Sequence, residues 1–286
     1  MIPAAFEYHR PGSVKEAVAL LAKLGEEAHL VAGGHSLIPM MKLRMAAPEH
    51  LVDLRDIADL KGIKEESGAL VIGALSTQED VIGSDLLAKK CPILRETALQ
   101  ISDPQVRAVG TLGGNVANGD PGNDMPAVMM ALNARFVLQG GGSREVAARE
   151  FFFGPYDTAR EHGEVLTAIR IPTPAAGHGY AYMKQKRKTG DYATAAAAVV
   201  LTMSRGKCDG AAIALTNVGD TALYAEAASE SLVGSALDAA AIDEAARLAE
   251  GIAEPVADDR GPADFRTRIA GVMVRRAIAS AKERAA

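Results

Sequence analysis

The sequence predicts an α+β protein built in two parts, and three observations carry that prediction. Helical and strand-like patterns alternate up to about Gly177. Glycines gather in two short loops rather than spreading evenly, and beyond Gly177 three consecutive strand patterns give way to Ala-rich helical stretches. A chain of 286 residues is long enough for two or three compact units.

Ser13-Val14-Lys15-Glu16 has the form of a capping box at a helix start. Val14, Val18, Leu21 and Leu24 follow at helical spacing, and Gly25 stands where the helix should stop. Residues 29–32 read as a strand entering Gly33-Gly34-His35-Ser36. Residues 37–44 read as a helix that tolerates Pro39 in its first turn, and residues 50–54 as a second buried strand. Together these form a small βαβ-like layer. Residues 70–75 predict another strand, followed by a helix over 77–82 and a longer one over 84–100. Residues 101–125 are dense in Gly, Pro, Asn and Asp, the composition of a long ordered loop, and such loops in compact domains usually carry function. A helix over 126–133, a strand from Arg135 turning through Gly140-Gly141-Gly142 into another strand, and a strand over 164–171 complete this part. Pro172-Thr173-Pro174 reads as a linker.

In the tail, residues 179–188, 194–203 and 208–216 read as strands, with Arg205-Gly206-Lys207 a hairpin turn. Helical segments near 221–233, 238–250 and 263–283 follow. An antiparallel sheet packed on these helices lets each bury its apolar face.

Composition excludes several functions. With 31 basic against 36 acidic residues the net charge is −5, which gives no footprint for nucleic acid. Trp is absent and aromatics are 4%, which argues against base-stacking platforms. No apolar run approaches the ~20 residues of a membrane span, and the first residues lack the pattern of a signal peptide, so a soluble, cytoplasmic chain is expected. Cys91 and Cys208 are far apart and read as small buried hydrophobes, not as a disulfide or cluster site. The dinucleotide G-x-G-x-x-G, the phosphate loop, H-E-x-x-H, C-x-x-C and the nucleophile elbow are all missing. The six histidines are scattered singly, and no metal-ligating residue is expected.

Two loops remain, Ala32-Gly33-Gly34-His35-Ser36 and Thr111-Leu112-Gly113-Gly114-Asn115. Backbone N–H groups freed of side chains can converge on an anion, helped by a helix start behind them. Either loop alone also reads as a tight turn; the two together suit a dinucleotide, whose diphosphate is flanked by polar moieties.

The stretches from Ala32 to Arg44 and from Thr111 to Pro126 resemble the two flavin-binding loops of the molybdenum hydroxylases. Lys186-Arg187-Lys188-Thr189-Gly190-Asp191-Tyr192-Ala193-Thr194 and the sheet after it extend the resemblance over essentially the whole chain. The family resembled is that of the medium, FAD-binding subunits. The run Gly119-Asp120-Pro121-Gly122-Asn123-Asp124-Met125-Pro126 points to the aerobic carbon monoxide dehydrogenase branch. Branches that oxidise purines, aldehydes or heteroaromatics read similarly. A stand-alone flavin dehydrogenase and a nucleotide-binding regulatory module remain alternatives.

The resemblance implies a FAD-binding domain over residues 1–177, with subdomains at about 1–57 and 58–177, and a C-terminal α/β domain over 178–286 with a three-stranded antiparallel sheet and a helical bundle. FAD would lie between them. It implies no catalytic residue here. Oxidation would occur on a large subunit with a molybdopterin cofactor, and a small subunit would relay electrons through two [2Fe–2S] clusters, in a dimer of heterotrimers. FAD would pass electrons to an external acceptor, a quinone in this branch, which places the work in the cytoplasm or at the inner face of its membrane. The lack of clustered Cys agrees, since this chain cannot ligate such a cluster itself.

The implied cofactor contacts follow residue by residue. Gly33, Gly34, Gly113 and Gly114 would bring backbone donors to the pyrophosphate, with Ala32 and Leu112 in the same loops; turn geometry is the alternative. Ser36 and Thr111 would add hydroxyls or else cap helices. His35 belongs to the loop without an implied proton-transfer role. Asn115 would offer its amide to a phosphate or the ring, or stabilise a turn. Asp124 would accept from a ribose hydroxyl, or cap the helix ahead of Pro126. Tyr192 would lie near the isoalloxazine, or be a core Tyr at a sheet edge. Lys184 and Lys186 alternate on one strand and would face the cofactor, or else lie on a solvated strand.

Overall fold

The computed structural model describes residues 1–285. Strand β1 (Glu7–His9) leads into helix α1 (Val14–Leu24), which Ser13 caps by accepting from the Glu16 N–H at 3.2 Å. The Glu16 carboxylate takes the Gly12 N–H, one residue before the expected capping-box partner. Gly25, at φ 71°, ends the helix. Strand β2 (Ala28–Val31), helix α2 (Leu37–Lys42) and strand β3 (His50–Asp53) follow. The strands form a parallel sheet of order β1-β3-β2. β1 was not evident from sequence because its three residues are largely polar and exposed.

A second, antiparallel sheet runs β4-β5-β10-β6-β7, from β4 (Ile63–Glu66), β5 (Ala69–Gly73), β6 (Arg135–Gln139), β7 (Ser143–Ala147) and β10 (Val165–Pro172). The short pair β8 (Phe152–Gly154) and β9 (Asp157–Thr158) precedes β10. Thr77 and Asp80 form a full capping box for α3 (Gln78–Gly83). The single helix expected over 84–100 is two, α4 (Asp85–Lys90) and α5 (Ile93–Ala98). Pro92 lacks an N–H and disfavours helical backbone in the residue before it, so the chain breaks at Cys91, at φ −149°. The expected loop over 101–125 also contains α6 (Pro104–Arg107) and α7 (Leu112–Ala117), started by the side chains of Asp103 and Thr111. Helix α8 (Asp124–Ala131) is buried along its whole length.

The tail forms an antiparallel sheet of β11 (Gly179–Gln185), β12 (Ala195–Ser204), β13 (Lys207–Thr216) and β14 (Leu223–Tyr224). It has four strands, not three: the two residues of β14 pair with β13. Arg205 and Gly206 both take positive φ, as the two-residue hairpin turn requires. Helices α9 (Glu226–Leu232), α10 (Ala239–Glu250) and α11 (Ala263–Arg284) cover one face. Ala195, Ala197 and Val199 join their core, whereas Ala196, Ala198 and Tyr182 join the core that includes α8. The Ala-rich strand is therefore buried on both faces, and its small side chains let helices approach from either side.

Candidate functional site

A cavity of about 600 Å³ lies where the three sheets meet, walled by the Gly33 loop, the start of α7, the 156–162 segment and the 190–192 loop. Every candidate cofactor residue named from the sequence lines it except Lys186 and Leu112, the latter fully buried in the core beneath.

The two glycine loops have different tasks. In the first, the N–H groups of Gly33, Gly34, His35 and Ser36 donate to no acceptor among the described residues, and Gly34 sits at φ 74°. Consecutive free donors of this kind make a nest for an anion. Ser36 stands at the start of α2 without a side-chain capping bond, so its hydroxyl is available too.

In the second loop the donors are already engaged. The N–H of Leu112 donates to Ser76 O at 2.8 Å, Gly113 to Ala74 O at 3.0 Å, Gly114 to Thr111 Oγ1 at 3.0 Å and Asn115 to Thr111 O at 3.0 Å. This corrects the role expected of Gly113 and Gly114 as pyrophosphate donors. Their lack of a side chain answers to the protein itself. A Cβ on Gly113 would stand 2.6 Å from the Ala74 carbonyl oxygen, and one on Gly114 2.7 Å from Thr111 Oγ1. Gly33 is similar, since its Cβ would meet the Val109 carbonyl oxygen at 2.5 Å. Gly33 and Gly113 bring backbone against backbone at the cavity's walls, while Gly114 leaves room for the Thr111 hydroxyl.

What the second loop turns toward the cavity is side chain. Thr111 Oγ1 accepts the Gly114 N–H and keeps its own proton to donate. Asn115 Oδ1 is buried without a hydrogen-bond partner, and so is Oε1 of Gln78, which lines the same cavity. Buried polar atoms are normally satisfied. Two orphaned acceptors on one cavity fit a ligand with polar donors.

Asp124 is engaged by the protein, and its side chain does not cap the helix that it begins. Its carboxylate accepts from the Tyr182 hydroxyl at 2.5 Å and from Lys184 Nζ at 2.8 Å. Burial pushes the Asp124 carboxyl above the usual carboxylate range, with Lys184 opposing, and pushes the Tyr182 hydroxyl well above its ordinary value. Lys186 does not line the cavity; partial burial and the Lys184 charge lower its ammonium pKa. Tyr192 is a loop residue between β11 and β12, 42% exposed, so it is neither core nor sheet edge. Its hydroxyl donates to Asp120 Oδ2 at 3.2 Å, and its ring packs so closely on Gly122 that a Cβ there would stand 2.8 Å from Cδ1.

Two family models cover nearly the whole chain: the FAD binding domain in molybdopterin dehydrogenase over residues 4–174, and the CO dehydrogenase flavoprotein C-terminal domain over residues 180–281. The carbon monoxide dehydrogenase medium chain of Afipia carboxidovorans is 64% identical over 100% of this chain and 99% of its own length. That of Hydrogenophaga pseudoflava is 52% identical over 100% of both. The chain belongs to the FAD-binding medium subunits of the molybdenum hydroxylases. The fold agrees: reconstituted CO dehydrogenase from Oligotropha carboxidovorans matches with a TM-score of 0.99 at 64% identity, over 100% of both chains. Quinoline 2-oxidoreductase from Pseudomonas putida 86 matches at 0.94 and 37% identity, over 99% of both.

As a medium subunit of this family the chain is a flavoprotein and part of an oxidoreductase, with FAD as its cofactor. The residues present fit that group. The free nest at residues 33–36 suits a diphosphate, and the orphaned oxygens of Asn115 and Gln78 suit hydroxyl or ring N–H donors. Sequence reasoning missed Gln78, His29, Arg160 and His162 on the cavity wall. Arg160 comes from the loop after β9 and is held by its own donation to the Glu161 and Glu164 carbonyls at 3.1 and 3.0 Å. Burial, then the nearby His162 and Arg160, lower the His29 imidazole below its ordinary value. No local motif signals this basic group, because its members come from separate strands and loops. Among the described residues no helix is long and apolar enough to cross a membrane.

Proposed function

We propose that this chain is the FAD-carrying electron-transfer subunit of a molybdenum-containing carbon monoxide dehydrogenase. The observation that carries the reading is full-length similarity to carbon monoxide dehydrogenase medium chains, joined to a cavity with a free anion nest. The diphosphate rests on the N–H groups of Gly33, Gly34, His35 and Ser36, with the Ser36 and Thr111 hydroxyls donating beside it. Asn115 and Gln78 accept from the cofactor's hydroxyl or ring donors. Ala32, Gly113 and Gly114 shape the wall. Asp124 and Lys184 fix the wall that joins residues 1–177 to residues 178–286, which we take as the two domains. Tyr192 covers the cavity's mouth and keeps water from the ring.

Bound FAD supplies an acceptor for two electrons that can be passed on singly or in pairs. Oxidation of carbon monoxide belongs to a large subunit with the molybdopterin cofactor, and a small subunit with [2Fe–2S] clusters delivers the electrons. The assembly is a dimer of heterotrimers, and a quinone takes the electrons from FAD. The test follows flavin absorption on adding carbon monoxide under anaerobic conditions. Bleaching is expected in the native assembly and not in the isolated chain. A native assembly whose flavin bleaches with a purine, aldehyde or heteroaromatic but not with carbon monoxide assigns the chain to another branch. Native material without partners, reducing its own flavin with a small substrate, overturns the reading.

A further inference from the structure

The histidines are scattered in the sequence, but folding brings two of them together with a carboxylate, away from the flavin cavity. Parallel pairing sets Glu7 of β1 in register with His50 of β3, and His9, two residues on from Glu7, projects from the same face. His9 Nε2 and His50 Nδ1 are 3.3 Å apart. Glu7 Oε2 lies 3.4 Å from His50 Nδ1 and 3.9 Å from His9 Nε2. Among the described residues this is the one group of three His, Cys, Asp or Glu whose ligand atoms all converge within 4.8 Å. The imidazoles are seated in the protein at 23% and 19% exposure, while Glu7, at 74%, closes over them from the solvent side.

A zinc-class ion held at about 2.0–2.1 Å by imidazole nitrogen and carboxylate oxygen spaces its ligand atoms roughly 3.3–3.5 Å apart. Two of the three spacings here meet that requirement, and a small rotation of the exposed Glu7 side chain supplies the third. We propose that Glu7, His9 and His50 form a binding site for a divalent transition-metal ion, with water in the remaining position. The two nitrogen donors select a zinc-class ion over magnesium or calcium, which take oxygen ligands. In the bound state His9 Nε2 and His50 Nδ1 both present lone pairs, so the ring protons sit on His9 Nδ1 and His50 Nε2. The ion would clip β1, joined to its sheet only by three residues paired with β3, onto the strand beside it.

The experiment treats the purified full-length chain with chelator, removes the chelator and titrates with Co²⁺, whose ligand-field absorption reports nitrogen and oxygen coordination. One equivalent is expected, displaced by one equivalent of Zn²⁺. His9→Ala and His50→Ala should each weaken binding by more than the roughly 10–100-fold typical of outer-shell changes. Melting without metal checks that each variant is folded. Glu7→Gln, at an exposed position, keeps the test open if either histidine variant fails to fold: it should shift the cobalt spectrum and weaken binding. Failure of the parent to take up one equivalent, an unchanged affinity in both folded histidine variants, or an unchanged spectrum and affinity in Glu7→Gln overturns the proposal.

Discussion

Lys184 on β11 donates to Asp124 at the start of α8 across 2.8 Å, with 1% and 5% of the two side chains exposed. The pair joins the C-terminal sheet to a helix of the flavin-binding part and stands on the wall of the cavity. Removing one partner leaves the other charged and buried. Lys184→Met should therefore cost about 3–5 kcal/mol of stability, whereas Lys184→Met with Asp124→Leu should recover much of it. Chemical denaturation of the three proteins measures this. Equal losses in the single and double variants would show that the ion pair is not what holds the two parts together.

Gly33 permits a close approach of its loop to the backbone just ahead of the second loop. Adding a Cβ places it 2.5 Å from the Val109 carbonyl oxygen, so even Gly33→Ala should destabilise the cofactor-free chain, by about 1–3 kcal/mol. Gly12→Ala, whose Cβ would meet nothing nearer than 3.9 Å, is the comparison and should melt close to the parent. A Gly33→Ala protein that melts like the parent would show that the approach to Val109 does not require glycine at this position.

Asn115 has the opposite signature. Its side-chain oxygen has no partner in the protein, so Asn115→Ala should leave cofactor-free stability nearly unchanged. Losing one hydrogen bond of about 0.5–1.5 kcal/mol should weaken FAD binding about 2–10-fold. Fluorescence titration gives the affinity, and unchanged binding would remove Asn115 from the site.

His29 should make stability depend on pH. Burial first, then His162 and Arg160, hold its folded pKa below the ordinary histidine value. The folded state thus prefers the neutral ring. That contribution is present above about pH 6.5 and is lost as pH falls from there through the lowered folded value. Melting temperature should fall more steeply over this window in the parent than in His29→Gln. Parallel curves would show that His29 does not drive the effect.

Local patterns along the chain determined most of the elements. Ser13 and Gly25 bound α1, the alternation around Arg205-Gly206 sets the β12–β13 hairpin, and the paired glycines mark both loops that wall the cavity. Such signals are legible because a cap, a turn or an amphipathic face acts within a few residues. Short elements such as β1, α6 and β14 carry too few residues for a period to show. The break at Cys91 was written in Pro92 but concealed by the helical pattern on either side. Tertiary structure alone decided how the similar loops differ. Gly33 and its neighbours keep their N–H groups free, while those of Gly113 and Gly114 are taken by Ala74 and Thr111. It also decided that Asp124 pairs with Lys184, 60 residues away, and that His9 meets His50, 41 residues away. Hydrogen-bond satisfaction and the meeting of charges depend on which distant segments pack together, and no local spacing encodes that.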